Sequence, residues 1–246
     1  MKISGYTFVH DALRGGYPVA EAIAAVRPAV DEVVAVDMAS TDGTRDLLLR
    51  CADRVIDSPW TNEAGVKPMN LAFTRHVECE GDVVLLFEAD EVWDPGLAMQ
   101  AAALARAGHT DLQVWRVQVS CNGQRMPWAP HLVHRVFPRG GGTYLDSPVV
   151  CPVDHPRIVP RWGYVWDLTM WFRENYWDRR KAHGECWGAQ RNVVAREHFL
   201  QSPEVSDEDL EAVLADDLLW QATSSPFALP DVVRPLLGME RYRPTI

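Results

Sequence analysis

Nowhere in the 246 residues do two cysteines form a C-x-x-C pair. The five cysteines present (Cys51, Cys79, Cys121, Cys151 and Cys186) are scattered and odd in number. That pattern excludes a zinc ribbon or a thioredoxin-type redox pair. It predicts reduced thiols in a cytoplasmic setting rather than a disulfide framework. No apolar run approaches the roughly 18 residues of a membrane span, so any membrane contact is expected to be peripheral. No signal peptide is expected, because MKISGYTF passes directly into a strand-like segment. Internal repeats, low-complexity tracts and linker-like stretches are lacking too, and one compact unit over 1–246 is expected. A phosphate-binding P-loop is excluded at RGGGT, 139–143, which lacks the lysine and the helix start. A net charge of -10 disfavours bulk nucleic-acid binding.

The charge that is present is uneven. Residues 1–110 hold 9 basic and 17 acidic side chains, residues 111–200 hold 12 and 8, and residues 201–246 hold 3 and 9. Seven of the ten tryptophans also fall in 111–200. A solvated basic face over an aromatic core explains this segment, and so does a site for a phosphorylated or ring-bearing molecule. Trp162, Trp166, Trp171, Trp177 and Trp187 fit either a core or a sugar-stacking wall, and Arg173, Arg179, Arg180 and Lys181 either a solvent face or a diphosphate site.

Periodicity gives a strand at 3–9, a helix at 19–26 stopped by Pro28, a strand at 32–36, a helix at 44–51, a short strand at RVIDS, a helix at 66–77 and a strand at DVVLLF. Pro95 then opens a helix through Arg106. This β-α-β-α alternation predicts an α/β fold with three layers, a mainly parallel sheet between helices. Beyond residue 110, LQVWRVQVS, HLVHRVF and TYLDSPVVC read as further strands, while 171–199 and 206–220 read as helices.

Ligands of open α/β sheets bind at the carboxyl ends of strands. Three polar constellations fall there: Thr7 to Asp11, DMASTDGT (Asp37 to Thr44) and EADE (Glu88 to Glu91). In the second, Asp37 can accept the N–H of a nucleobase or the hydroxyls of a ribose, while S-T-D-G-T also serves as turn and helix-cap chemistry on its own. The third is stranger. Five apolar residues, Val83 to Phe87, run into three carboxylates in four positions. Crowded like charges raise one another's pKa, so a positive group belongs among them, and a divalent cation is the expected one. If the segment stays extended, Glu88 and Asp90 face one point and Glu91 turns away. Hard carboxylate oxygens suit Mg²⁺ or Mn²⁺ shared with phosphate.

In this order and spacing, VDMASTDGT, KPMNLAFTRHVECEGDVVLLFEADEV and EADE resemble the family-2 glycosyltransferases of GT-A fold. The resemblance covers about residues 3–100 well and the rest loosely. It implies a GT-A type α/β/α domain with a mixed, mainly parallel sheet and a helical C-terminal portion. Residues 1–110 would be the nucleotide-sugar half, and 111–246 the acceptor half. It implies transfer of a sugar from a nucleotide-sugar, UDP-sugar first, to an acceptor hydroxyl, with inversion and with Mg or Mn as cofactor. The strand-one end (Thr7, Val9), Asp37, Asp42 and Lys67 would serve the nucleotide, Glu88 the sugar or metal side, and Asp90 the metal. Met38 stands where relatives often carry a second acid, and Glu88 where they carry an Asp. Asp167, in GYVWDLTMW, takes the place of a metal-reaching histidine. The alternative for Asp167 is a cap on a helix beginning near Thr169. SPVVC lacks the family's usual acid, which leaves Asp146, Asp154 and His155 as candidate catalytic residues. Glycan, lipid, protein, metabolite and hydroxymethylated DNA base all stay open as acceptor. A nucleotidyltransferase using a thin Arg14-Gly15-Gly16 loop and a non-catalytic sugar-nucleotide-binding module are the rival readings.

Overall fold

A computed structural model describes residues 1–61, 68–120, 131–144, 149–150, 163, 165–170 and 242–244. Strand β1 (Ile3–Val9) is buried along its whole length and lies inside an eight-stranded sheet. Its neighbours are β2 (Glu32–Asp37) and β4 (Val83–Leu86), both parallel to it, and β3 (Arg54–Asp57) continues the parallel order beyond β2. Strands buried on both faces read as unbroken apolar runs, which is what VVAV (33–36) and VVLLF (83–87) are.

Helices α1 (Ala12–Gly15), α2 (Val19–Val26), α3 (Thr44–Cys51) and α4 (Pro68–Thr74) connect these strands, and α5 (Pro95–Arg106) follows later in the chain. Helices α2, α3 and α5 supply Ile23, Leu47, Leu48 and Leu97 to one core, against Ile3, Val33 and Leu85. Helix α4 supplies Ala72 and Phe73 to a second core on the other face, against Tyr6, Val34 and Leu86. The three expected layers are present. Helix α5 begins where Pro95 predicts. Asp94 caps it, accepting from Gly96 N at 2.8 Å and Leu97 N at 3.2 Å. The helix expected over 66–77 starts at Pro68 among the described residues and tightens to a 3₁₀ turn at Arg75–Glu78. Gly81 is required by close approach, since a Cβ there would stand 2.6 Å from the backbone nitrogen of Ser4.

The rest of the sheet is mixed. Strand β7 (His131–Pro138) runs antiparallel to β4. Strand β6 (Leu112–Ser120) is antiparallel to β7, β10 (Val165–Met170) is parallel to β6, and β5 (Glu91–Trp93) closes the far edge antiparallel to β10. The order is β3-β2-β1-β4-β7-β6-β10-β5. This order forces a curl. Four strand spacings, about 19 Å on a flat sheet, separate β4 from β5, yet only residues 87–90 join them, and a hydrogen-bonded turn within that link shortens its reach further. The edge must bend back toward β4, and the inside of that bend is where the acidic turn sits. TYLDSPVVC forms two short antiparallel strands, β8 (Thr143–Tyr144) and β9 (Val149–Val150), with 145–148 outside the described residues. The helices expected at 171–199 and 206–220 also fall outside them.

Candidate active site

The carboxyl ends of β1 and β2 are laced together side chain to backbone. Asp11 and Ala39, the residues with positive φ (48° and 53°) outside glycine, stand in the two loops. Thr41 N donates to Asp11 Oδ1 at 2.7 Å, and Asp11 N donates to Ser40 Oγ at 2.9 Å. Asp42 accepts from Thr44 N at 3.0 Å and Thr44 Oγ1 at 2.6 Å through one oxygen, and from Arg14 N at 2.7 Å through the other. One oxygen therefore serves the turn into α3 and the other ties that turn to α1, a structural role of the kind open to S-T-D-G-T. Arg14 lies 2.7 Å from Asp11, and Gly16 ends α1 in a left-handed C-cap.

Asp37 is different. It ends β2, it is buried, and only Oδ2 has a partner, Ser40 N at 3.2 Å. Oδ1 is buried with no hydrogen bond, as is Thr7 Oγ1 on the neighbouring strand. Unmet acceptors of this kind carry a desolvation cost that a ligand's N–H or O–H would relieve. Val9 sends its side chain into the core and its carbonyl to Met38 N at 2.9 Å. His10, within the Thr7 to Asp11 constellation, stacks on Trp60, which no sequence motif indicates, at 4.0 Å with planes 5° apart past the ends of β1 and β3. His10 Nδ1 is 2.7 Å from the Met38 carbonyl. Lys67 lies outside the described residues.

The EADE segment corrects the expectation drawn for it. It is a turn, not an extended run: Glu91 N donates to the Glu88 carbonyl at 3.0 Å, and Glu88 N donates to Glu91 Oε2 at 3.1 Å. Glu88 and Glu91 are thereby brought together, and half-buried Asp90 stands at the bend between them. Positive charge also comes from the chain itself. Arg135 is fully buried and donates from Nε and Nη2 to the two oxygens of Glu91, at 2.8 and 2.6 Å. Its Nη2 lies 3.1 Å from Glu88 Oε1, an ion pair without hydrogen-bond alignment. Arg116 stands 3.6 Å from Glu88, 3.5 Å from Glu91 and 3.7 Å from Asp167. Burial would raise the pKa of Glu91, but the charge and hydrogen bonds of Arg135 overcome it and hold the group below its ordinary value. For Glu88 burial wins over Arg135, and its pKa is pushed up to about 8.

Asp167 is in this cluster. It is buried in the middle of β10, paired in register with Glu91 on one side and Gln118 on the other. Thr169 continues the same strand, so the helix-cap alternative for Asp167 is overturned. The four carboxylates of Glu88, Asp90, Glu91 and Asp167 against two guanidiniums leave a charge of about -2 with every group ionised, or about -1 with Glu88 protonated, before any ligand. Among the described residues no three acids, histidines or cysteines are already gathered as a metal cage. Mg²⁺ does not need one, since one or two carboxylates and substrate phosphates normally complete its shell. The hard donors and residual charge therefore fit such an ion. Asp146, Asp154 and His155 fall outside the described residues.

The glycosyl transferase family 2 profile matches residues 18–186, more than half of the chain and most of both halves of the sheet. The chain belongs to this family. It is a family 2 glycosyltransferase by sequence and an α/β protein with a mixed, mainly parallel sheet by structure. No curated protein matches it. Solved structures to which it is similar include glucosyl-3-phosphoglycerate synthase from Mycobacterium tuberculosis with Mn²⁺, UDP and glucosyl-3-phosphoglycerate, at 20% identity over 50% of this chain and 46% of that one, TM-score 0.38. The same enzyme with Mg²⁺ and UDP is similar at 20% identity over 46% of this chain and 43% of that one, also with TM-score 0.38. The chain spans less than half the length of these structures. Among the described residues, no helix is long and apolar enough to cross a membrane.

Proposed function

We propose that this family 2 glycosyltransferase moves a sugar from a nucleotide-sugar, UDP-sugar being the first to test, onto an acceptor hydroxyl, with inversion and with Mg²⁺ or Mn²⁺ bound. The observation that carries the reading is Asp37: a buried carboxylate at a strand end with one oxygen left without a partner, a short way along the same sheet edge from an acidic cluster of residual negative charge. Asp37 and Thr7 would accept from the nucleoside. Asp90, with Asp167 behind it, would hold the ion, which when bound neutralises charge on the departing diphosphate as a Lewis acid. The chain's own part is to bind and orient the donor and to keep water from the curl. A base then takes the acceptor proton as the oxygen attacks the anomeric carbon. Asp146, Asp154 and His155 stay the candidates for that base. One displacement suffices, and no covalent nucleophile is needed.

Two features support this over the rivals. A nucleotidyltransferase would need Arg14 free for phosphate, and Arg14 is paired with Asp11. A module that only binds would have no need of the acidic turn. Calorimetric titration of UDP with Mn²⁺ and with EDTA tests the reading. Tighter binding with Mn²⁺ is expected, and equal binding of all nucleotides under both conditions would overturn it.

A further inference from the structure

Strand β7 carries one residue more than β6 where the two pair. Leu112 faces Val136, but Gln113 faces His134. Arg135 is the extra residue. A bulge frees its residue from the ladder and re-aims its side chain, and here the re-aimed side chain is a fully buried guanidinium under the acidic turn. Its Nη1 donates to the carbonyl of His134 at 3.1 Å, which ties the fork to the bulge itself. Its Nε and Nη2 grip both oxygens of Glu91, at 2.8 and 2.6 Å, and Nη2 reaches Glu88 at 3.1 Å. Glu91 N donating to the Glu88 carbonyl and Glu88 N donating to Glu91 Oε2 close the same turn. A buried ion pair adds little stability over an apolar pair of similar volume. What an arginine adds is a planar, two-point geometry that lysine cannot reproduce.

We infer that Arg135 is a positioning residue for the metal site: the bulge drives its guanidinium against Glu88 and Glu91, takes both glutamates out of metal ligation, and sets the turn so that Asp90 is presented to the donor diphosphate. The inference rests on the metal-dependent reading above and narrows it, because Glu88 then belongs to the arginine and not to the ion. Arg116 lies 3.5 to 3.7 Å from Glu88, Glu91 and Asp167 and supplies counter-charge on the second side of the cluster.

The test uses the full chain, with UDP and Mn²⁺ as probes, and three measurements: melting temperature, metal-free UDP binding, and Mn²⁺ binding to the UDP complex. Arg135→Lys keeps the charge and loses the fork. It should weaken Mn²⁺ binding at least about 10-fold, the scale of losing a group that orients a metal ligand, with metal-free UDP binding within about twofold of wild type. The double variant Arg135→Met with Glu91→Gln replaces the pair by neutral groups. It should melt near wild type and keep the Mn²⁺ defect. Either variant binding Mn²⁺ as wild type does would overturn the inference. So would a double variant that melts far below wild type, since stability would then be what the pair provides. Wild-type protein that binds UDP equally with Mn²⁺ and EDTA would instead sink the metal reading, and this inference with it.

Discussion

The two ends of the site hold their carboxylates by different means. At the β1–β2 edge, Asp37 and Asp42 are held by backbone N–H groups alone or with a hydroxyl, and Asp11 by the Thr41 N–H with Arg14 on its other oxygen, at 2.6 to 3.2 Å. In the curl, Glu88, Glu91 and Asp167 stand against two guanidiniums. Backbone donors leave oxygens open in chosen places, as at Asp37 Oδ1. Guanidiniums engage several oxygens at once and fix the backbone beneath them. One end is suited to reading a ligand's N–H and O–H groups, the other to holding charge.

The sharpest way to break the comparison is at the bend. Asp90→Asn keeps shape and removes charge. Transfer should fall by about 10²-fold or more, the scale of a lost electrostatic contact in a transition state, while the melting temperature stays that of wild type. Turnover like wild type in a coupled diphosphate-release assay would remove Asp90 from the mechanism.

Next in size is the stability of the curl. Arg135→Met alone strips buried Glu91 of its two-point guanidinium partner and leaves only Arg116, 3.5 Å away, as counter-charge, and should cost about 3–5 kcal/mol in urea unfolding. Arg27, paired with Asp53 at the surface, makes the control: Arg27→Met should cost less than about 1 kcal/mol, because exposed pairs are screened. Equal losses would mean that the arginine beneath the turn is no different from one at the surface.

The fold was legible to a large extent, and the site in part, for physical reasons that differ along the chain. Helices α3 and α5 and strand β6 fall on the residues their composition indicates, because caps, Pro95 and apolar periodicity are local signals. The turn at Glu88–Glu91 was not legible. It contains no Gly, Pro or Asn, and it is imposed by β5 pairing with β10 at Asp167, a contact 76 residues away. The two arginines were missed, since a single charge in an alternating strand reads as a solvent position. Signals for both exist. Arg116 shares the parity of Leu112 and Val114, which are core, so it is a charge on an apolar face. In V-H-R-V-F the alternation breaks at Arg135, as an extra residue requires. Asp167 was placed beside the acidic turn by resemblance, and the register of β10 brings it there.

A middle-sized effect belongs to Asp167. Asp167→Asn keeps the strand and weakens the hold on Arg116, so Mn²⁺ binding to the UDP complex should drop about 10-fold, in the range for groups behind a metal ligand. The fold should persist, because asparagine fits the same buried volume. Full Mn²⁺ affinity in a titration of this variant would place Asp167 in the architecture alone.

The smallest effect separates the two aspartates of DMASTDGT. Asp42 has both oxygens engaged by Thr44 and Arg14, so Asp42→Ala should lose these loop hydrogen bonds and cost about 1 kcal/mol of stability. UDP affinity measured at a temperature where the variant is fully folded should stay within about twofold. Asp37 has one oxygen engaged, weakly, and one left open. Asp37→Asn keeps the accepting oxygen toward Ser40 and puts an amide where a ligand's donor would arrive, so stability should change little. Two donors then face each other, and UDP affinity should fall about 10-fold, or 1.4 kcal/mol. The pair of variants thus predicts opposite outcomes from neighbouring residues of the same type. If Asp37→Asn melts lower and binds UDP normally, the open oxygen is a structural defect of the loop and not an acceptor for the nucleoside.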